Sequence, residues 1–358
     1  MNIVFLYTEV AEYFLSCIRE LSQISGLQIL IVRWPVNSEA PFEFNWPDKV
    51  KVFNRDEIDD SKLDARISKF NPDVVFCSGW MDKGYLKIAQ TSRRKGVPVI
   101  CGMDNAWVGS YRQRIASLIS PFTIRKYFDY MWVPGKKQRE YALRLGFTAE
   151  HIFEGYYSAD YYFFNALYHR FLPEKKKLFP HRFFYLGRYV EQKGINDLWQ
   201  AYELLLNETN TNWELWCAGT GQLTDHTPTN PGLKHIGFIQ PKDLPDYIRQ
   251  TGVFILPSHF EPWGVAVHEM AAAGLPMICS DKVGAAGKFL DHEKNGFLYQ
   301  SGSVQDLKEA MKKIISLDYS ELIAMGEYGN TLAQKITPQT WSRTLLSIAS
   351  KNNVNSIL

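Results

Sequence analysis

Two apolar periodicities alternate along the whole chain. Asn2–Tyr7 (NIVFLY) and Leu27–Val32 (LQILIV) are short unbroken apolar runs, which suits strands buried on both faces of a parallel sheet, and Glu12–Ser25 between them reads as the crossover helix. Asp73–Cys77 (DVVFC) and Pro98–Cys101 (PVIC) follow, separated by the helical Tyr85–Lys95, and Tyr130–Val133 and His151–Phe153 read as the last strands of this half. A second series opens at Phe183–Leu186 and continues through Glu214–Ala218, Lys234–Ile236, Val253–Leu256 and Met277–Ser280, with helices between. Alternation of this kind builds doubly wound parallel sheets, and here it occurs twice. Residues 165–180 (NALYHRFLPEKKKLFP) break both periodicities, hold two prolines and carry the run Lys175–Lys177, the signature of a linker. The pattern predicts a Rossmann-like domain over 1–165, a linker over 166–180, a second Rossmann-like domain over 181–335, and a C-terminal helix over 336–358 that packs back on the first domain. Two open α/β domains joined in this way are expected to leave a cleft between the carboxyl ends of their strands, where ligands bind.

Composition narrows the function classes. With 358 residues, 46% of them apolar, and a formal net charge of +2, the chain has two ordinary globular cores' worth of material and no general case for nucleic acid. Aromatics make up 14%, enough to fill cores and still offer platforms for sugars. The five cysteines are scattered without a CxxC or Cys/His cluster, so neither a zinc site nor a disulfide framework is expected; buried reduced thiols in a cytoplasmic protein fit better. The start MNIVFLYTEVAEYFL lacks a basic leader and carries Glu9 and Glu12, which argues against a signal peptide. No uncharged apolar stretch approaches the roughly 18 residues that a membrane span needs. The acid-rich Arg55–Asp64 reads as a solvated helix face rather than a metal site.

The candidate chemistry gathers at strand ends of the second series. After the apolar run Gly252–Pro257 comes SHFEPWGVAVHEMAAAG, in which Pro262 suits the first turn of a helix starting near Pro262–Gly264. Such a helix start offers unpaired N–H groups and a positive dipole end to an anion. Glu261 and Glu269 are eight residues apart, about 12 Å of helical rise. An elongated ligand with hydroxyls at both ends and a diphosphate between them fits that spacing, as in a nucleotide sugar. Arg188 and Lys193 flank the loop after Phe183–Leu186, between Gly187 and Gly194, and a pair of cations at a strand end can hold a diphosphate. Gly219-Thr220-Gly221 ends the next strand at the same rim. No GxGxxG follows the first strand and no P-loop occurs, which disfavours nicotinamide or flavin enzymes and P-loop nucleotidases.

The ordered set GRYVEQKG, CAGTG, KHIGFI, EPWGVAVHE, AAGLPMICS and KNGFLY resembles the donor domain of family 4 glycosyltransferases over roughly 183–315. Residues 128–164 resemble the segment that closes that family's acceptor domain. The resemblance implies a GT-B fold and metal-free, retaining transfer of sugar from a nucleoside-diphosphate donor of UDP or GDP type to a hydroxyl of a glycan or lipid-linked acceptor. It implies that Arg188 and Lys193 neutralise the leaving diphosphate and that Glu261 engages sugar hydroxyls. Backbone N–H groups of Trp263, Gly264, Val265 and Ala266 would reach sugar and phosphate. Glu269 would bind the ribose, Gly187 and Gly219 would line the donor site, and Ile236 and Phe238 would lie by the base.

The chain also departs from that family. No glycine follows the first strand before Gly26, and Lys288 stands where the family usually has Glu. In place of a His after Pro98–Cys101, the chain reads CGMDNAW, so Asp104 or Asn105 either approaches the reacting sugar or forms an Asx turn. His259 and His268 read as structural. Residues 111–128 carry Arg112, Arg114, Arg125 and Lys126 with no acid, and Ile115, Leu118, Ile119 and Phe122 fall at helical spacing. That stretch is either a core-facing helix or a peripheral contact with an anionic membrane. A GT-B nucleotide-sugar epimerase and a catalytically silent sugar-nucleotide-binding subunit remain as alternative functions.

Overall fold

A computed structural model describes residues 1–36 and 44–355. The chain forms two units, one of Met1–Ser158 with the segment from Pro338 onward, the other of Ala159–Thr337. The first holds β1 (Asn2–Tyr7), β2 (Gln28–Arg33), β3 (Val50–Asn54), β4 (Val74–Ser78), β5 (Val99–Gly102), β6 (Tyr130–Val133) and β7 (Ile152–Glu154). These pair in parallel in the order β3-β2-β1-β4-β5-β6-β7. Successive residues point to opposite faces, so Val4 and Leu6 enter one core with Val75 and Cys77. Ile3 and Phe5 enter the other with Ile100 and Trp132. Trp341, Leu345 and Ile348, from the helix Pro338–Asn355, complete that second core, and the Trp341 indole nitrogen donates to the Tyr156 carbonyl at 2.7 Å. Residues 356–358 of the expected C-terminal helix lie outside the described residues.

The second unit holds β8 (Arg182–Leu186), β9 (Glu214–Ala218), β10 (Leu233–Gly237), β11 (Val253–Leu256), β12 (Met277–Ser280) and β13 (Gly296–Tyr299), all parallel, in the order β10-β9-β8-β11-β12-β13. Both sheets match the doubly wound expectation, with β3 and β13 as additions. β3 is an edge strand in which only Val50 is buried, and β13 is a short run opened by a glycine. All five cysteines are buried free thiols.

The linker expectation is overturned. Residues 166–180 fall mostly within a helix, Tyr161–Lys177, whose buried face is Tyr161, Phe164, Leu167, Tyr168, Phe171 and Lys175. Pro173 sits inside this helix. The i, i+3, i+7 spacing of aromatic and apolar residues outweighs the break that the proline would otherwise impose. The Lys175 ammonium is buried and donates to the Thr251 carbonyl at 2.9 Å, and burial pulls its pKa down to about 7.

His268, in the helix Val265–Ala272, is structural, as expected. Its Nδ1 accepts from the Ala159 N–H at 3.1 Å, which makes Nε2 the protonated nitrogen; Nε2 donates to the Ala333 carbonyl at 3.0 Å, and the ring stacks on Phe289 at 4.0 Å. Burial lowers its pKa to about 4, below the about 6.5 of an unfolded histidine. A depressed folded pKa contributes stability that is complete above pH about 6.5 and lost as pH falls through about 4, roughly 3 kcal/mol in all. The thermal midpoint of His268→Gln, which gains no proton, should therefore fall less than that of the parent protein between pH about 7 and about 4. Parallel declines in a pH series of melting curves would show that His268 does not set this dependence.

Candidate active site

Strand order reverses once in each sheet, between β1 and β4 and between β8 and β11. At such a switch point the loops leaving the two strands diverge and open a crevice at their carboxyl ends. In the second unit these loops carry the residues expected from the sequence. Gly187 follows β8 and its N–H donates to the Ala218 carbonyl at 3.0 Å. A Cβ on Gly219 (φ 138°) would stand 1.8 Å from the Gly187 carbonyl oxygen, so only glycine lets the β8 and β9 loops touch. The Tyr185 hydroxyl donates to the Arg188 carbonyl at 2.7 Å, pinning the loop that bears Arg188. Lys193 closes the 3₁₀ turn Glu191–Lys193, and Gly194 (φ 65°) starts the helix Ile195–Glu208. A Cβ on Gly194 would lie 2.2 Å from the Pro257 carbonyl oxygen, which presses this loop against the end of β11.

That approach joins Lys193 to Glu261 in an ion pair, with side chains only 17% and 11% exposed. The Glu261 segment is held in turn by the loop after β12: Gly284 N–H donates to the Glu261 carbonyl at 3.0 Å and Ala285 N–H to the Trp263 carbonyl at 2.8 Å. Gly264 (φ 89°) is the N-cap of Val265–Ala272 and no side chain caps that helix start, which suits an anion at the amides of Val265 and Ala266. Glu269 lies half-buried just over one turn along, and Glu261 precedes the helix, so the two are not separated by eight residues of helical rise as the sequence suggested. Trp263 can act only through its backbone, because its indole is buried with an edge toward Phe289. Gly219 N–H donates to the Gly237 carbonyl at 2.8 Å, which brings the end of β10, with half-buried Ile236 and Phe238, to the same rim. His259 bonds Asp197 at 2.7 Å and ties its loop to the helix Ile195–Glu208.

In the first unit a cavity of about 470 Å³ opens at the carboxyl ends of β1, β4 and β5, and Asp104 and Asn105 line it. The Tyr157 hydroxyl donates to Asp104 Oδ2 at 3.1 Å. Tyr13 packs edge-on against Tyr157 at 5.2 Å, Tyr156 stacks on Tyr157 at 4.2 Å, and the Tyr156 hydroxyl donates to that of Tyr7 at 3.0 Å. Burial pushes all four phenols up, so they stay neutral hydrogen-bonding groups. A Cβ on Gly102 would meet the Phe76 and Tyr156 rings at 2.5 and 2.6 Å, so the tyrosine cluster depends on that glycine. Sequence reasoning missed Tyr7, Tyr13 and Tyr157, because aromatic residues in strands and helices read as core.

The alternative of a core-facing helix at 111–128 is overturned. On the helix Tyr111–Thr123, Tyr111 is 85%, Leu118 80%, Phe122 78%, Ile115 59% and Ile119 42% exposed, and only Ser120 is buried. Arg55 is not simply solvated either, since it pairs with Asp60 and with Asp82 at 3.1 Å. Among the described residues no helix is long and apolar enough to cross a membrane.

Comparison with known proteins bears on the fold. Over its whole length the chain is similar in fold to HepE of Anabaena solved with UDP (TM-score 0.72, 15% identity, 98% of this chain and 100% of that one). It is likewise similar to the sucrose-phosphate synthase of Thermosynechococcus elongatus (TM-score 0.75, 14% identity, 99% and 100%). The two parallel α/β sheets thus constitute the GT-B fold. Residues 171–332, the greater part of the second unit, match the model of the family described as glycosyl transferases group 1. The O-antigen chain mannosyltransferase B of Escherichia coli is 29% identical over 121 residues (30% of this chain, 32% of that protein). The putative teichuronic acid biosynthesis glycosyltransferase TuaC of Bacillus subtilis is 31% identical over 129 residues (36% and 31%). The chain spans about a third of the length of the curated relatives it matches.

The Lys193–Glu261 pair yields a stability test. Lys193→Met strands a largely dehydrated carboxylate and should cost about 1–3 kcal/mol in urea unfolding. Adding Glu261→Gln should recover more than half of that loss, the coupling expected of direct contact. Strict additivity of the two substitutions would show that the pair is not coupled in solution.

Proposed function

We propose that the chain is a retaining glycosyltransferase that moves a sugar from a nucleoside-diphosphate donor, of UDP or GDP type, to a hydroxyl of a glycan or lipid-linked acceptor. The observation that carries this reading is the rim of the second sheet, where Arg188, the Lys193–Glu261 pair and the open start of Val265–Ala272 lie on loops from both sides of the switch point. The two cations and the helix amides suit the charge that develops on a departing diphosphate, and Glu261 suits sugar hydroxyls. Glu269 suits the ribose, with Ile236 and Phe238 toward the base. The departing phosphate oxygen takes the acceptor's proton on the face it leaves, so the reading needs neither a protein nucleophile nor a bound metal. The tyrosine-lined cavity of the first unit suits a hydroxylated acceptor, and Asp104, oriented by Tyr157, suits a sugar hydroxyl or a developing positive charge. Solved relatives in fold hold UDP and UDP-glucose, which favours a UDP donor. Matched relatives named for O-antigen, teichuronic acid and capsular polysaccharide favour surface glycan synthesis.

Donor turnover tests the reading against an epimerase and against a silent binding subunit. UDP-sugars and GDP-sugars are each incubated without acceptor, and released nucleotide and epimerised sugar are quantified. Slow hydrolysis with no epimer is expected, and Arg188→Ala should reduce it about 10²–10³-fold, the usual cost of one transition-state contact to developing charge. Epimer formation, or near-parental turnover in a folded Arg188→Ala, would sink the assignment.

The exposed face of Tyr111–Thr123, with Arg112, Arg114, Arg125 and Lys126 about it, supports peripheral contact with an anionic bilayer at the cytoplasmic face. In co-sedimentation the protein should bind phosphatidylglycerol vesicles far better than phosphatidylcholine ones. Leu118→Ser with Phe122→Ser should weaken binding about 100-fold or more, since each large apolar side chain is worth roughly 1.5–3 kcal/mol when buried. Equal binding to both lipids, or no effect of the double substitution, would exclude this contact.

A further inference from the structure

The cavity of the first unit also has a cation on its wall. Arg33 ends β2 and lines the cavity beside the Thr8 and Ser78 hydroxyls. Its Nε is shut off from solvent and has no hydrogen-bond partner among the described residues. Its guanidinium lies 5.6 Å from the centre of the Phe44 ring. Burial lowers its pKa, against the opposing pull of Asp56 and Glu57. Arg55, which follows the neighbouring strand β3, makes an instructive contrast. Its guanidinium is saturated by Asp60, by Asp82 and by the Ile58 carbonyl, as a purely structural arginine should be.

A guanidinium that lines a cavity gains most from an anion that reaches its accessible N–H groups, because charge-assisted hydrogen bonds are about twice as strong as neutral ones. The planar fork of arginine matches the two oxygens of a carboxylate or phosphate better than it matches a single hydroxyl. We infer that Arg33 is a specificity-determining residue that recognises an anionic substituent, a carboxylate or a phosphate group, on the acceptor glycan. The inference rests on the reading of this cavity as the acceptor site. Thr8 and Ser78, whose hydroxyl oxygens lie 3.0 Å apart, supply further polar atoms on the same wall. Among the described residues lining the cavity, Arg33 is the one cation, whereas Glu9 and Asp104 are carboxylates.

The test is a set of NMR titrations of the full chain with methyl β-glucuronide, the 6-phosphate of methyl β-glucoside, and neutral methyl β-glucoside. At least one anionic probe should bind about tenfold or more tighter than the neutral one, the ratio expected of a charge-assisted pair. The tighter of the two anions identifies the chemical source of the charge. Arg33→Gln should abolish the preference and Arg33→Lys should keep part of it, with the phosphate arm repeated on Arg188→Ala to exclude binding at the donor rim. Equal affinities for all three probes, no binding of either anion up to about 50 mM, or a preference that survives Arg33→Gln would overturn the inference. Donor hydrolysis by the unsubstituted protein, measured on the same preparation, separates the two readings. Hydrolysis without anion preference overturns only the role of Arg33, whereas anion preference without hydrolysis overturns only the transferase assignment.

Discussion

Everything functional in this chain depends on the reversal of strand order in each parallel sheet. A right-handed crossover carries the chain from β1 toward β3, and the return to β4 starts a second series in the opposite direction. Helices that cover the two halves lie on opposite faces, so the rim above the reversal is left to loops. β8 and β11 repeat the arrangement. The cations, carboxylates and tyrosines therefore sit where they do because of topology, before any property of their own side chains is considered.

Close backbone contacts then give that rim its rigidity. Gly187, Gly194 and Gly219 bring loops within touching distance, and the ion pair between Lys193 and Glu261 is the electrostatic result of that proximity. Two opposite charges held in a mostly dehydrated setting attract strongly and desolvate at a cost, so their positions are set more narrowly than those of surface residues. In the first unit the same narrowing is achieved by aromatic packing around Gly102 and by phenol hydroxyls that stay protonated.

The strands of both sheets were legible because residues buried on both faces must be apolar without interruption, and the loops of the second unit were legible because charged residues beside glycine at strand ends have few structural uses. β3 escaped because an edge strand needs only one apolar face. The helix Tyr161–Lys177 was obscured by Pro173 and by three consecutive lysines, although its buried stripe was present in the sequence. The apolar spacing of 115–122 identified a helix, but spacing alone does not say whether the stripe meets protein or solvent. Asp104 was found as a substitution at a strand end, whereas Tyr13 and Tyr157 looked like any other core aromatics. The place of Arg33 on the cavity wall is invisible in sequence, since the fold and not the residue type puts the end of β2 beside Thr8 and Ser78.

The helix Pro338–Asn355 has a bearing on how the chain is made. Trp341 fills the core of the first unit between Phe5, Phe14 and Trp132, so the stretch Met1–Ser158 cannot finish its interior until Pro338–Asn355 has been translated. The whole of Ala159–Thr337 is synthesised in the meantime, a wait of roughly 10–40 s at about 5–20 residues per second. During that interval the part of this core that Trp341, Leu345 and Ile348 fill, beside the helix residues Phe14, Cys17 and Ile18, stays uncovered, while the second unit has every residue it needs to fold. Order of synthesis and order of folding thus run in opposite directions, and the nascent chain has reason to engage a chaperone at its amino-terminal half.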